Sequence, residues 1–144
     1  MEELIKLSKV AFASEYAFMV KAQFFHWNVE GSNFPQYHKL LDDIYSEVQD
    51  SIDAFAENIR KIGGYTPASF SRFSMLSAIE DETNIMPAEA MLAELQQDCE
   101  KMIEIYKVVF ELAEVHKEFG LSNFYADRQD AHAKHCWMLR STLK

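Results

Sequence analysis

The run PQYHKLLDDIYSEVQDSIDAFAENIRKI, residues 35–62, decides how this chain folds. It opens on Pro35, which suits the first turn of a helix, and Gly63-Gly64 behind it suits a stop. Wind it at about 100° per residue with His38 at zero. Leu40, Leu41, Ile44, Tyr45, Val48, Ile52, Phe55, Ile59 and Ile62 then fall between about 200° and 340°. That is the core-facing stripe of a long amphipathic helix. The rest of the circumference is divided. His38, Asp42, Asp53 and Glu57 fall at about 0°, 40°, 60° and 100°, and Asp43, Glu47 and Asp50 at about 120° to 180°. One helix thus carries an apolar face, a His/carboxylate face and an acidic face.

The same punctuation organises the rest of the chain. Only four glycines and three prolines occur in 144 residues, well under the usual share of roughly 12% for the two types together. Residues 2–28 are unbroken and apolar over most of the circumference, with Leu4, Ile5, Leu7, Val10, Phe12, Tyr16, Met19, Val20 and Phe24. Such a helix is buried on more than one side, and its extra face points to another subunit. A third helix is expected over residues 87–119, with Pro87 at its start and Gly120 at its stop. A fourth is expected over residues 122–143, with Ser122 as N-cap. Residues 65–86 are too long for a simple connection, and residues 69–77 suit a short helix within it. So few turns exclude an all-β sandwich or barrel. The reading is one all-α domain over residues 1–144: a four-helix bundle with a short helix in the long connection between helices 2 and 3. A single long crossover is the connectivity of ferritin-like bundles.

Composition narrows the function. With 14 basic and 23 acidic residues the formal net charge is −9, which disfavours nonspecific binding to phosphate backbones. Two cysteines, Cys99 and Cys136, are too few for a disulfide scaffold and form no zinc-type cluster. A reducing, cytoplasmic setting is the expectation. Met1-Glu2-Glu3 is not the basic start of a signal peptide, and charges break every apolar stretch short of a membrane span. No glycine-rich phosphate loop is present.

The His/carboxylate face carries the chemistry. Imidazole with carboxylates suits iron, zinc or manganese. His38 and Asp42 stand one turn apart, about 6 Å along the axis, and Asp53 and Glu57 form a second such pair. The pairs are separated by about 16 Å, too far for one metal site on one straight helix. Two copies lying antiparallel across a two-fold axis bring the pairs together and generate two identical sites. His26, at the end of the first helix, returns close to His38 if the first two helices form an antiparallel hairpin. Singly, these residues are ordinary: a packed histidine, an i,i+4 pair, two solvated acids. Jointly, five metal-type residues in register favour a site. Asp43, Glu47 and Asp50 read as a solvated face unless that face lines a cavity. His132, His135 and Cys136 suggest a second metal site, but a surface or interface role is the preferred reading.

His26-Trp27-Asn28-Val29-Glu30-Gly31, then Phe34, His38 and Asp42, then Asp53-Ala54-Phe55-Ala56-Glu57, fit the pattern HWxxxGxxFxxxHxxxD followed, after ten residues, by DxxAE. In this the chain resembles the Dps family, the mini-ferritins also called DNA-binding proteins from starved cells. The closing run, Lys134 to Arg140, resembles the family's last helix, so the likeness extends over nearly the whole chain. The resemblance implies a hollow shell of twelve subunits with a ferroxidase site at each two-fold interface. His26, His38 and Asp42 would ligate iron from one subunit, Asp53 and Glu57 from its mate, with zinc or manganese as substitutes. Fe(II) is oxidised, typically by hydrogen peroxide, and stored as ferric mineral, which protects against oxidative damage. Trp27 matches a family tryptophan that intercepts stray oxidising equivalents, although packing explains it equally. In a shell, Asp43, Glu47 and Asp50 become candidates for mineral nucleation.

The departures are local. Asn58 replaces the Arg that follows the DxxAE glutamate in many members, and Ala133 replaces a common acid. The family's acidic pore positions do not align cleanly, which leaves Asp127 and Asp130 as pore candidates. No Glu-x-x-His occurs, so the motif of an intrachain di-iron site is missing. No Lys-rich tail flanks the helices, which argues against DNA binding. Two rivals remain: a DNA-compacting nucleoid protein, and a structural shell without ferroxidase activity. The first expects a basic extension and the second a damaged metal motif, and the sequence has neither.

Overall fold

The computed structural model describes all residues, Met1–Lys144. Its elements are α1 (Glu2–Asn28), α2 (Phe34–Lys61), α3 (Phe70–Leu76), α4 (Ala88–Val115) and α5 (Phe119–Thr142), with no strand. The all-α bundle with a short helix in its long connection is the architecture read from the sequence. Short turns join α1 to α2 and α4 to α5, giving two antiparallel hairpins. Residues 62–87 cross between the hairpins and carry α3.

The core follows from the stripes. Leu41, Ile44, Val48, Phe55 and Ile59 of α2 are buried, and Leu40, Tyr45, Ile52 and Ile62 pack at its margin. Phe55 is fully buried, with the rings of Phe12, Phe124 and Tyr125 at 5.3, 5.4 and 5.6 Å between centroids. The multi-sided α1 has several partners within its own chain, since it packs on α2, α4 and α3. Phe73 of α3 stacks on Tyr16 at 4.4 Å, and the Ala78 amide donates to Ser14 Oγ at 2.9 Å. α3 starts where expected, with the Ser69 hydroxyl accepting from the Arg72 amide. Val20 and Trp27 of α1 remain exposed.

Two helix ends use one device. After α2, Gly63 (φ 94°) donates to Arg60 O and Gly64 to Ile59 O. After α4, Lys117 (φ 58°) donates to Glu114 O and Glu118 to Ala113 O. Both are Schellman turns, with the left-handed residue just past the cap. Gly64 also has a packing role, because a Cβ there would lie 2.7 Å from Ile5 Cγ2.

The second turn corrects the expected α4–α5 boundary. Gly120 is not the stop and Ser122 is not the N-cap. Lys117 takes the left-handed position, α5 starts at Phe119, and Gly120 lies in its first turn. Ser122 is buried inside the helix, donating its hydroxyl to Phe119 O at 3.0 Å.

Candidate metal centre

The α1–α2 hairpin builds the centre of the site. His26 lies in the last turn of α1, where backbone carbonyls have no intrahelical partner. The chain turns through Gly31 (φ 126°) and re-enters helix at Phe34, which brings His38 beside His26. His38 Nδ1–H donates to His26 O at 2.7 Å, and His26 Nδ1–H donates to His38 O at 2.7 Å. The rings stack at 3.8 Å with 11° between their planes. Phe34 stacks on His38 at 4.9 Å, and Tyr45 flanks His26 at 5.2 Å.

This geometry selects a tautomer. A carbonyl oxygen can only accept, so each Nδ1 must carry the proton. Nε2 is then the nitrogen left to bind a metal, and the rings are fixed in place by the bonds on their other nitrogen. That is the arrangement of histidine ligands oriented by second partners. Asp42 stands one turn on, half-buried, with Oδ1 accepting from Ser46 Oγ at 2.8 Å.

Asp53 and Glu57 are exposed near the far end of α2. α2 is unbroken, so they stay apart from the histidine pair. Within one subunit no three His, Cys, Asp or Glu side chains are disposed to hold a metal ion as they stand. His26, His38 and Asp42 therefore form a half-site. Trp27 is 66% exposed and lines a groove of about 840 Å³ with Val20, Phe24, Phe70 and Phe73.

The acidic face of α2 divides in two. Asp50 is exposed, and exposed Asp43 pairs with Lys39 at 2.7 Å. Glu47 is held inward: Arg128 Nη2 donates to it at 3.1 Å and His135 Nε2 at 2.8 Å. Burial opposes its charge, but the bonds from His135 and Arg128 prevail and hold its carboxyl down at about 2. Asp127 lines a surface cavity of about 370 Å³ with Lys61, Glu118 and Asn123, and Asp130 is exposed.

Behind Glu47 lies a buried polar network that motif reading missed. His132 Nε2 donates to Glu15 at 2.7 Å, Arg128 Nη2 approaches Glu15 at 3.4 Å, and the Tyr106 hydroxyl also donates to Glu15. Burial acts to raise the Glu15 carboxyl, yet His132, Arg128 and Tyr106 together hold it below the ordinary carboxylate range. The surface or interface role expected for His132, His135 and Cys136 is wrong, because all three are buried within the subunit. Their positions already carry the signal. Leu121, Tyr125, Arg128, His132, His135 and Leu139 recur at core spacing along α5.

Residues 9–144 match the family model described as a ferritin-like domain. The chain belongs to the ferritin-like family. The Dps resemblance read from its sequence holds within that family. This ferritin-like chain is 31% identical to an uncharacterised low temperature-induced protein of Nostoc sp. over 143 residues, covering 98% of this chain and 80% of the relative. It is 28% identical to DNA protection during starvation protein 2 of Bacillus anthracis, covering 99% and 97% of the two chains. It superposes on the crystal structure of a Dps protein from Bacillus brevis with a TM-score of 0.95 at 26% identity, covering 99% and 96%.

Proposed function

We propose that this ferritin-like protein stores iron and is a ferroxidase, oxidising Fe(II) with hydrogen peroxide at sites shared between two subunits of a dodecameric shell. One observation carries the reading: the stacked His26–His38 pair, whose Nδ1–H groups are spent on backbone carbonyls so that both Nε2 atoms are free. In this reading His26, His38 and Asp42 bind substrate iron from one side, and Asp53 and Glu57 of a two-fold mate complete the set. The mate also covers Val20, Trp27, Phe70 and Met75, large apolar side chains exposed on the single subunit.

The ligand set suits the reaction. Carboxylates are hard donors that favour Fe(III) over Fe(II). Two Fe(II) give one electron each to one peroxide, whose O–O bond breaks as two protons are taken up and two waters form. Delivery of both electrons at one site leaves no hydroxyl radical. In this reading Trp27, exposed and next to His26 in the chain, intercepts a stray oxidising equivalent. Asp43 and Asp50 are the better nucleation candidates on α2, because Glu47 is committed to Arg128 and His135.

The test is an anaerobic Fe(II) titration followed by peroxide. Wild type is expected to oxidise iron rapidly and keep the product soluble. Equal rates for wild type and a His38→Ala/Asp42→Ala variant would sink the ferroxidase assignment. The printed name of the Bacillus anthracis relative raises DNA as a second ligand, which the charge of −9 opposes. A gel shift at low salt is expected to show no tight complex.

A further inference from the structure

The bundle centre holds a second set of metal-type side chains that the half-site does not use. Glu15 of α1, Glu47 of α2, and His132 and His135 of α5 surround the guanidinium of Arg128. Glu15 Oε1 accepts from His132 Nε2 at 2.7 Å while Oε2 lies 3.4 Å from Arg128 Nη2. Glu47 Oε1 accepts from His135 Nε2 at 2.8 Å and from Arg128 Nη2 at 3.1 Å. Arg128, Glu15, His132 and His135 are all buried, and Arg128 Nε has no protein acceptor.

Two carboxylates and two imidazoles from three helices are the donors from which helical bundles build internal metal sites. They suit zinc, manganese, cobalt or ferrous iron. A cation already joins the two carboxylates, and it is the guanidinium. The guanidinium supplies one positive charge between the acids, beside the hydrogen bonds from His132 and His135, whereas a divalent ion would supply two and take the imidazoles as ligands. Supporting groups are present as well. Cys99 Sγ lies 3.3 Å from His132 Nδ1, so that nitrogen has a partner if Nε2 turns to a metal.

We propose that Arg128 is the resident cation of an intrasubunit metal-type site, and that its guanidinium keeps divalent metal out of the bundle centre. Joined to the iron reading above, on which this step rests, Arg128 confines Fe(II) to the half-sites at the subunit surface. It acts on specificity through Glu15 and Glu47 and is a positioning residue. Removing it leaves the buried Glu15 carboxylate and the partly exposed Glu47 carboxylate without the cation that joins them, a state that a divalent ion relieves. Metal entry displaces the protons that His132 and His135 now donate, so binding weakens as pH falls.

The test is a Co(II) titration of Arg128→Ala in a His26→Ala/His38→Ala/Asp42→Ala background. The surface half-site is absent there, so a failed ferroxidase assignment leaves the result untouched. The background protein is expected to show no visible Co(II) d–d absorption. Arg128→Ala is expected to gain it with about one further Co(II) per subunit by equilibrium dialysis. Arg128→Lys, which keeps a tethered cation, is expected to gain none, and adding Glu15→Gln to Arg128→Ala is expected to abolish the gain. A folded Arg128→Ala that takes up no further Co(II), or a signal that survives Glu15→Gln, overturns the proposal. If Arg128→Ala does not fold alone, Co(II) during refolding must restore its helical circular dichroism. Failure to do so also overturns it.

Discussion

At the scale of single residues, the polar groups of the histidine pair and of the bundle centre are fixed by one another. His26 and His38 each use one ring nitrogen to satisfy the other residue's carbonyl, which leaves the remaining nitrogen aimed but unpaired. Glu47 behaves differently. It is held in its charged form by Arg128 and His135, with its carboxyl near 2 against an ordinary 4.5. A carboxyl depressed on folding contributes stability that is present above its unfolded value and lost as pH falls through the folded one. The midpoint of urea unfolding is therefore expected to fall between pH 4.5 and about 2. Glu15, also depressed on folding, acts in the same direction. Glu47→Gln should be less stable than wild type at pH 7 and flatter across that acid window. Parallel curves for the two proteins would show that Glu47 contributes nothing to the acid response.

At the scale of elements, the α4–α5 turn shows what a left-handed position costs. Lys117 holds φ 58° to close the Schellman turn, a conformation that strains a residue with a Cβ. Gly63 closes the equivalent turn after α2 without that strain. Lys117→Gly is expected to raise stability by about 0.5–1 kcal/mol, the relief exceeding the entropy added to the unfolded chain. Thermal unfolding checks it, and a lower melting temperature would contradict it. The same turn explains an error of sequence reading. A search for glycine stops at Gly120, but the bonds from Lys117 and Glu118 end α4 earlier. Where local pattern governs, the chain is legible: the α2 stripe is buried as its periodicity requires, and Ser69 caps α3. The histidine half-site is legible too, because its three members are close in sequence. The bundle-centre network is not, because Glu15 meets Arg128 and His132 across more than a hundred residues of chain. No local motif encodes that meeting.

At the scale of the whole molecule, the proposed function depends on a second copy. His26, His38 and Asp42 lie at one end of α2, with Asp53 and Glu57 towards the other, so the assigned ligands can meet only between subunits. Native mass measurement is expected to return a closed multiple of the 16.7 kDa chain, with twelve copies as the proposed number. A subunit-mixing experiment tests the shared site more sharply. A His26→Ala/His38→Ala/Asp42→Ala protein and an Asp53→Ala/Glu57→Ala protein should each be inactive as pure assemblies. In a mixed two-fold pair, one site combines the intact histidine half of the second variant with the intact acidic half of the first. The other site has neither half. Co-refolding equal amounts makes about half of the pairs mixed, each with one working site of two, so about a quarter of wild-type Fe(II) oxidation should return. A site built within one subunit would recover nothing, because no single chain in the mixture carries all five residues. Recovery near a quarter would therefore establish that each site is shared between two subunits.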